Sequence, residues 1–200
     1  MAIRTYDELD FGFSWVLDEA MTRTSHALVD EGRVWIIDPV DEGDALERAR
    51  ALGEPAGVIQ LLDRHNRDCE AVAKRFGVPH LNLPETLPDS PFEPFSVVST
   101  RFWKEVGLWW PARRALVVAE AVGTNAMFTG GSTPVGVHVF LRLTPPRKLA
   151  AYAPDHLLVG HGSGIDGPGT PAALSEALDR SRRDLPRVLA KMPHALRGGS

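Results

Sequence analysis

The sequence predicts an α/β fold, and three observations carry that expectation. Strand-like apolar runs alternate with helical patterns between residues 27 and 83, glycines punctuate the boundaries, and the β-rich second half closes on a long amphipathic segment. Ala27-Leu28-Val29 and Val34-Trp35-Ile36-Ile37 are joined by Asp30-Glu31-Gly32-Arg33, where glycine supplies the positive φ of a tight hairpin, and the pair ends at Asp38-Pro39. From Glu42 to Leu52, Ala45, Leu46, Ala49 and Leu52 share one helical face, with Gly53 expected to end the helix in a left-handed conformation. A strand follows at Val58 to Leu62. Cys69 to Phe76 reads as a helix stopped at Gly77, and Val78 to Leu83 as the next strand.

The second half carries fewer helix signals. Pro84 to Pro94 holds four prolines and reads as a loop, while Phe95 to Ser99 and Ala115 to Ala119 read as strands. Val137 to Leu143 is an apolar or alternating run, Arg147 to Tyr152 suits a short helix, and His156 to Val159 is a buried strand leading into Gly160-His161-Gly162. Thr170-Pro171 opens the last helix with a cap and a proline at its first turn. Its core-facing stripe is Leu174, Leu178, Leu185, Val188 and Leu189, and Pro186 is expected to kink or divide it. There is no internal repeat and no low-complexity segment, and Gly198-Gly199-Ser200 reads as a frayed end.

With 200 residues, 44% hydrophobic and 24% charged, the chain suffices for one core, so a single domain over residues 1–200 is expected. Twenty-two basic against 26 acidic residues give a net charge of −4, without the cationic field that phosphate backbones require; no nucleic-acid partner is expected. One cysteine forms no internal disulfide, and the start Met1 to Leu9 lacks a signal-peptide apolar stretch, which points to the cytoplasm. No run approaches the roughly 18 apolar residues that span a bilayer, so no membrane partner is expected.

Five pieces, in order, resemble the metallo-β-lactamase superfamily across almost the whole chain: the hairpin ending Ile36-Ile37-Asp38-Pro39, the strand and loop from Val58 to Cys69, the strand before Ala119-Glu120-Ala121, the Val159-Gly160-His161-Gly162 turn, and the closing helix. The resemblance implies a four-layer αββα sandwich: two mixed sheets face to face, helices outside, and a metal site where strand-end loops meet. The family's H-x-H-x-D-H motif falls on Arg64, His65, Asn66, Arg67, Asp68 and Cys69, so arginine and asparagine occupy two histidine positions. The third histidine of that subsite belongs near Thr100-Arg101-Phe102-Trp103-Lys104, which has none. The second subsite maps onto Asp68, Cys69, Glu120 and His161, all competent ligands.

Two expectations follow from this degenerate motif. In the first, the dinuclear centre has eroded into a metal-free pocket with a binding or scaffold role for a small molecule; Arg64, His65, Asn66 and Trp103 line it, and the Arg64 guanidinium pairs with Asp68 or Glu120 in place of the ion. In the alternative, Asp68, Cys69, Glu120 and His161 hold one zinc, and the protein is a mononuclear hydrolase of an ester, thioester or amide. His65 ranks below His161 as a ligand. Cys69, at a helix start, suits a thiolate, although a quiet half-buried thiol is the expectation. His26, His80, His138, His156 and His194 lack ligand spacing and receive no role. Phe102, Trp103, Trp109 and Trp110 are expected to pack in the core or line the pocket rim; exposed, Trp109 or Trp110 would instead centre a homodimer interface. Gly130-Gly131-Ser132 reads as a loop, without the lysine of a phosphate-binding turn.

Overall fold

The computed structural model describes residues 2–65 and 67–195, with side chains described to residue 191. Six strands form the first sheet in sequence order: β1 (Ile3–Leu9), β2 (Gly12–Leu17), β3 (Thr24–Asp30), β4 (Arg33–Ile37), β5 (Glu54–Gln60) and β6 (His80–Asn82). The first four are antiparallel neighbours, whereas β4, β5 and β6 run parallel, joined through α1 (Ala45–Ala51) and α2 (Cys69–Phe76). The second sheet has five strands: β7 (Glu93–Ser99), β8 (Lys104–Trp110), β9 (Ala115–Val118), β12 (His156–Val159) and β13 (Ile165–Asp166), in spatial order β13-β12-β9-β8-β7. Here β9 and β12 are the parallel pair. A small ladder of β10 (Val122–Gly123) with β11 (Gly136–Val137), the short α3 (Ala126–Thr129) and the long α4 (Thr170–Ala195) complete the described chain.

Period two in the first sheet decides the layering. Leu28, Trp35, Ile37 and Ile59 point inward, where they join Leu108, Trp110, Leu116, Val118 and Leu158 of the second sheet in one core. The alternate residues Phe13, Trp15, Ala27, Val34, Ile36 and Val58 point outward onto Ala45, Leu46 and Ala49 of α1 and Val72 and Ala73 of α2. Leu174 and Leu178 of α4 join the inter-sheet core from the opposite side. The order is helix, sheet, sheet, helix, the expected four-layer αββα sandwich. None of the described helices is long and apolar enough to cross a membrane.

Most expected elements form. Glu31 and Gly32 both have positive φ, +47° and +78°, as the two-residue turn between β3 and β4 requires. Helix α2 has the expected bounds and ends on Gly77 in the left-handed conformation. Corrections concern α1 and α4. Helix α1 is shorter than expected, and Gly53 follows its C-cap Leu52 with φ +159° rather than a left-handed helical value; a Cβ there would lie 2.2 Å from the Gly32 carbonyl oxygen, so close backbone approach explains the glycine. Within the apolar run Val137 to Leu143, β11 stops at Val137, and Val139–Leu141 turns as a 3-10 helix initiated by His138 Nδ1 accepting from the Phe140 amide. Helix α4 runs unbroken through Pro186, which lies on its exposed face, as does Arg182, whose carbonyl loses its helical donor there. Leu189 is exposed rather than part of the stripe. The sequence reading also passed over β1, β2 and β8. Residues 198–200 lie outside the described residues.

Gly12 opens β2 at φ +142°, and a Cβ would sit 2.1 Å from the Ala27 carbonyl oxygen of the neighbouring strand. Gly12→Ala should therefore cost roughly 3 kcal/mol or more in urea unfolding, whereas Gly169→Ala, with nothing within 4 Å of its Cβ, should change stability by less than about 1 kcal/mol.

Candidate metal centre

Parallel pairing places four strand C-termini at one edge of the sandwich. Strands β4 and β5 run side by side in the first sheet, β9 and β12 in the second, and the chain leaving each delivers one polar residue: Asp38, His65, Glu120 and His161. The two edges are stitched directly. Thr24 N donates to Gly160 O at 2.9 Å, Gly162 N to Thr22 O at 2.8 Å, and Val106 N to Leu61 O at 2.8 Å.

His65, Glu120 and His161 hold their ligand atoms within 4.8 Å of one another. His65 Nε2 lies 3.2 Å, and His161 Nε2 3.4 Å, from the same oxygen, Glu120 Oε1. Both rings are oriented from behind. His161 Nδ1 is 2.9 Å from the Met21 carbonyl, which can only accept, so Nδ1 carries the proton and Nε2 of the neutral ring presents a lone pair. His65 Nδ1 is 3.0 Å from Asp38 Oδ2, while Asp38 Oδ1 accepts the Leu61 amide at 3.0 Å. Asp38 reaches across because its backbone adopts φ +44°, a left-handed conformation that aspartate tolerates better than most residues. His65 and His161 are 6% and 2% exposed, and His161 Nε2 is buried without a well-aligned hydrogen bond. Three electron-pair donors thus face one another in a largely buried setting.

Charge reinforces this arrangement. Burial works to raise the Glu120 pKa, but the imidazoles of His161 and His65 outweigh it and hold the carboxyl well below its usual range. Burial likewise opposes ionisation of Asp38, and the His65 hydrogen bond and charge, with Arg67, reverse the effect. Burial and the Arg67 charge push the His65 pKa down, but Asp38 and Glu120 prevail and raise it above its ordinary value. His161 is shifted down, chiefly by burial.

A fixed cation lies beside this centre. The Arg67 guanidinium donates to the carbonyls of Thr24 (2.5 Å), Asp38 (2.9 Å) and Gly160 (3.0 Å), joining the ends of both sheets. This is the place that the sequence reading gave to Arg64. Arg64 instead places its guanidinium over the Trp103 ring, 4.3 Å from its centre, with its side chain 43% exposed and an Asp63 oxygen at 3.5 Å, so it keeps its charge hydrated and pairs with neither Asp68 nor Glu120.

Of the four candidate ligands named from sequence, the structure brings together Glu120 and His161. Asp68 precedes α2 at its N-cap, and its Oδ2 accepts the Asp41 amide at 2.8 Å. Cys69, the first residue of α2, is fully buried, its Sγ 3.7 Å from the His65 carbonyl, and burial with the nearby Asp38 charge pushes its thiol pKa up, away from thiolate character. Among the pocket candidates, Asn66 lies outside the described residues, His65 is central, and Trp103 packs at the border, 4.8 Å from the His138 ring. The sequence reading gave no role to Asp38, Arg67 or His138. Asp38-Pro39 was the available signal for the first; for the others, spacing offered none. His138 is held neutral by burial, its pKa lowered to about 4. Phe102 and Phe140, 80% and 77% exposed, stand on the loops beside Trp103 and His138. Trp110 is buried against Phe11 and Phe92, and Trp109 half-buried against Tyr152. A cavity of about 1180 Å³ adjoins the His161 turn through Gly162 and Ser163 but is not lined by the three converging residues.

No family model matches the chain, and no curated protein sequence does. Solved structures do. The DIM-1 metallo-β-lactamase exposed to ceftazidime superposes with a TM-score of 0.60 at 14% identity, covering 90% of this chain and 98% of that one. A metallo-β-lactamase from Pontibacter korlensis gives 0.60 at 10% identity over 88% and 98%, and TMB-1 gives 0.54 at 13% over 94% and 99%. The chain therefore has the metallo-β-lactamase fold.

The two arginines separate experimentally. Arg67→Met strands three carbonyls and should cost roughly 3 kcal/mol or more in denaturant unfolding, while Arg64→Ala should cost under about 1 kcal/mol. Cys69 should resist thiol reagents at pH 8 in the native protein and react at once in 6 M guanidinium, a contrast readable by absorbance.

Proposed function

We propose that the protein is a hydrolase of metallo-β-lactamase fold that works with one divalent ion, held by His65 Nε2, His161 Nε2 and Glu120, on an ester, thioester or amide. The carrying observation is the meeting of two imidazole nitrogens and a carboxylate oxygen at 3.2 and 3.4 Å. A tetrahedral site with bonds of about 2.0–2.1 Å separates its ligands by roughly 3.3 Å, so the spacing suits one ion with a fourth position open. A bound ion there supplies a Lewis acid and lowers the pKa of coordinated water towards 7. The protein's own residues do the rest. Asp38 and the Met21 carbonyl fix the tautomers and aim both rings. The remaining subsite of a dinuclear centre is lost, and Arg67 supplies fixed positive charge beside it. Arg64, spread on Trp103 at the border, offers a hydrated cation to an anionic group on the substrate.

A second reading draws on the raised pKa of His65. With both ring nitrogens protonated, His65 would bind Asp38 and Glu120 together, and the centre would be a metal-free pocket with a binding role.

Elemental mass spectrometry on untagged, zinc-loaded protein distinguishes the two. About one zinc per chain is expected, lost in His65→Ala, Glu120→Ala and His161→Ala but kept in Asp68→Asn and Cys69→Ala. Wild-type protein that retains no zinc, cobalt or manganese would establish the metal-free reading instead.

A further inference from the structure

Glu105, 1% exposed on β8, is buried more deeply than Glu120 and lies behind it. Its Oε1 accepts three successive backbone amides, those of Ala119 (3.1 Å), Glu120 (3.1 Å) and Ala121 (3.0 Å). Its Oε2 accepts the Trp103 indole N–H at 3.0 Å. The same residue forms an isolated bridge with Leu62, flanked by Asp63 N to Lys104 O at 3.1 Å and Val106 N to Leu61 O at 2.8 Å, so its backbone also anchors the segment that leads to His65. On its other side the Ala119–Ala121 turn is held by its carbonyls. Ala119 O accepts Gly160 N, next to His161, and Ala121 O accepts His138 N.

Strand β9 ends at Val118, and the next three amides have no strand to bond to. A buried carboxylate costs several kcal/mol unless it is well supplied with donors; this one has four, and burial still raises its pKa to about 7. An apolar residue would fill the space but leave three inward-facing amides stranded and the turn free to reorient.

We propose that Glu105 is the positioning residue of the His65–Glu120–His161 centre: it curls the Ala119–Ala121 turn so that the Glu120 side chain leaves towards the imidazoles, and locks that turn to the His65 segment. The proposal rests on reading the centre as a metal site, and the reaction itself does not involve Glu105.

Glu105→Gln tests it. Glutamine keeps one oxygen for the three amides but must then turn its NH2 towards the Trp103 indole, setting donor against donor; Trp103→Phe removes that indole. Cobalt titration of the full chain, with the visible spectrum of the bound ion, would be recorded for wild type, both single variants and the double variant, together with thermal melting. Glu105→Gln should weaken cobalt binding at least tenfold and alter the spectrum, and the double variant should regain the Trp103→Phe level of affinity. Unchanged affinity and spectrum in Glu105→Gln would overturn the proposal. So would a loss that the double variant fails to recover and that merely follows the fall in melting temperature. Wild-type protein that takes up no cobalt would instead remove the metal reading, and this proposal with it.

Discussion

The parallel pairs β4–β5 and β9–β12 end in the same problem: where the strands stop, their last amides and carbonyls have no strand neighbour, and the place is largely buried. The chain answers with side chains. Arg67 takes the carbonyls just past the ends of β4 and β12 together with the one at the start of β3, Glu105 takes the amides after β9, and Asp38 takes the Leu61 amide after β5. Arg67 and Asp38 are charged, and Glu105, whose pKa burial raises to about 7 against the pull of its donors, stands near the balance of its two forms at neutral pH; a charged group can satisfy several backbone dipoles at once. The candidate centre is built on this solution, since Asp38 also orients His65 and the turn held by Glu105 carries Glu120.

Charge balance follows from the same arrangement. Two carboxylates, Asp38 and Glu120, share a small volume with Arg67 and the two imidazoles. Like charges at such separations would repel strongly in a medium of low effective dielectric, so the carboxylates persist only with positive charge between them. The guanidinium supplies one share of it at fixed position. The remainder falls between the Nε2 atoms of His65 and His161, where either a proton or an ion would complete it.

The fold was legible because it rests on local signals. The apolar runs of residues 27–29 and 34–37 around their glycine turn, the glycine stop of α2, and the Gly160-His161-Gly162 turn each carry their meaning within a few residues. Among the strands not foreseen, β1 and β2 carry charged and aromatic residues at positions whose burial is decided by the second layer of the sandwich. The site was half legible. Glu120 and His161 follow strands directly, so alignment of the strands placed them. His65 and Arg67 lie in the 61–68 loop, where a shift of one residue exchanges an inward side chain for an outward one; spacing therefore nominated Arg64 for the interior, and tertiary contacts put it over Trp103. Glu105 had no signal at all, because its four donors come from a turn 14 to 16 residues away and from an indole two residues back.

The two halves of the chain contribute equally to this centre. Asp38 and His65 belong to the first sheet, Glu120 and His161 to the second, and Glu120 lies 55 residues beyond His65. Neither half can assemble the group by itself, so its formation waits on the docking of one sheet against the other, a late and entropically costly step of folding. The centre is accordingly a gauge of the inter-sheet seam: any substitution that loosens the packing between Ile59 and Leu116, far from a polar atom, would be felt there as a spreading of its donors.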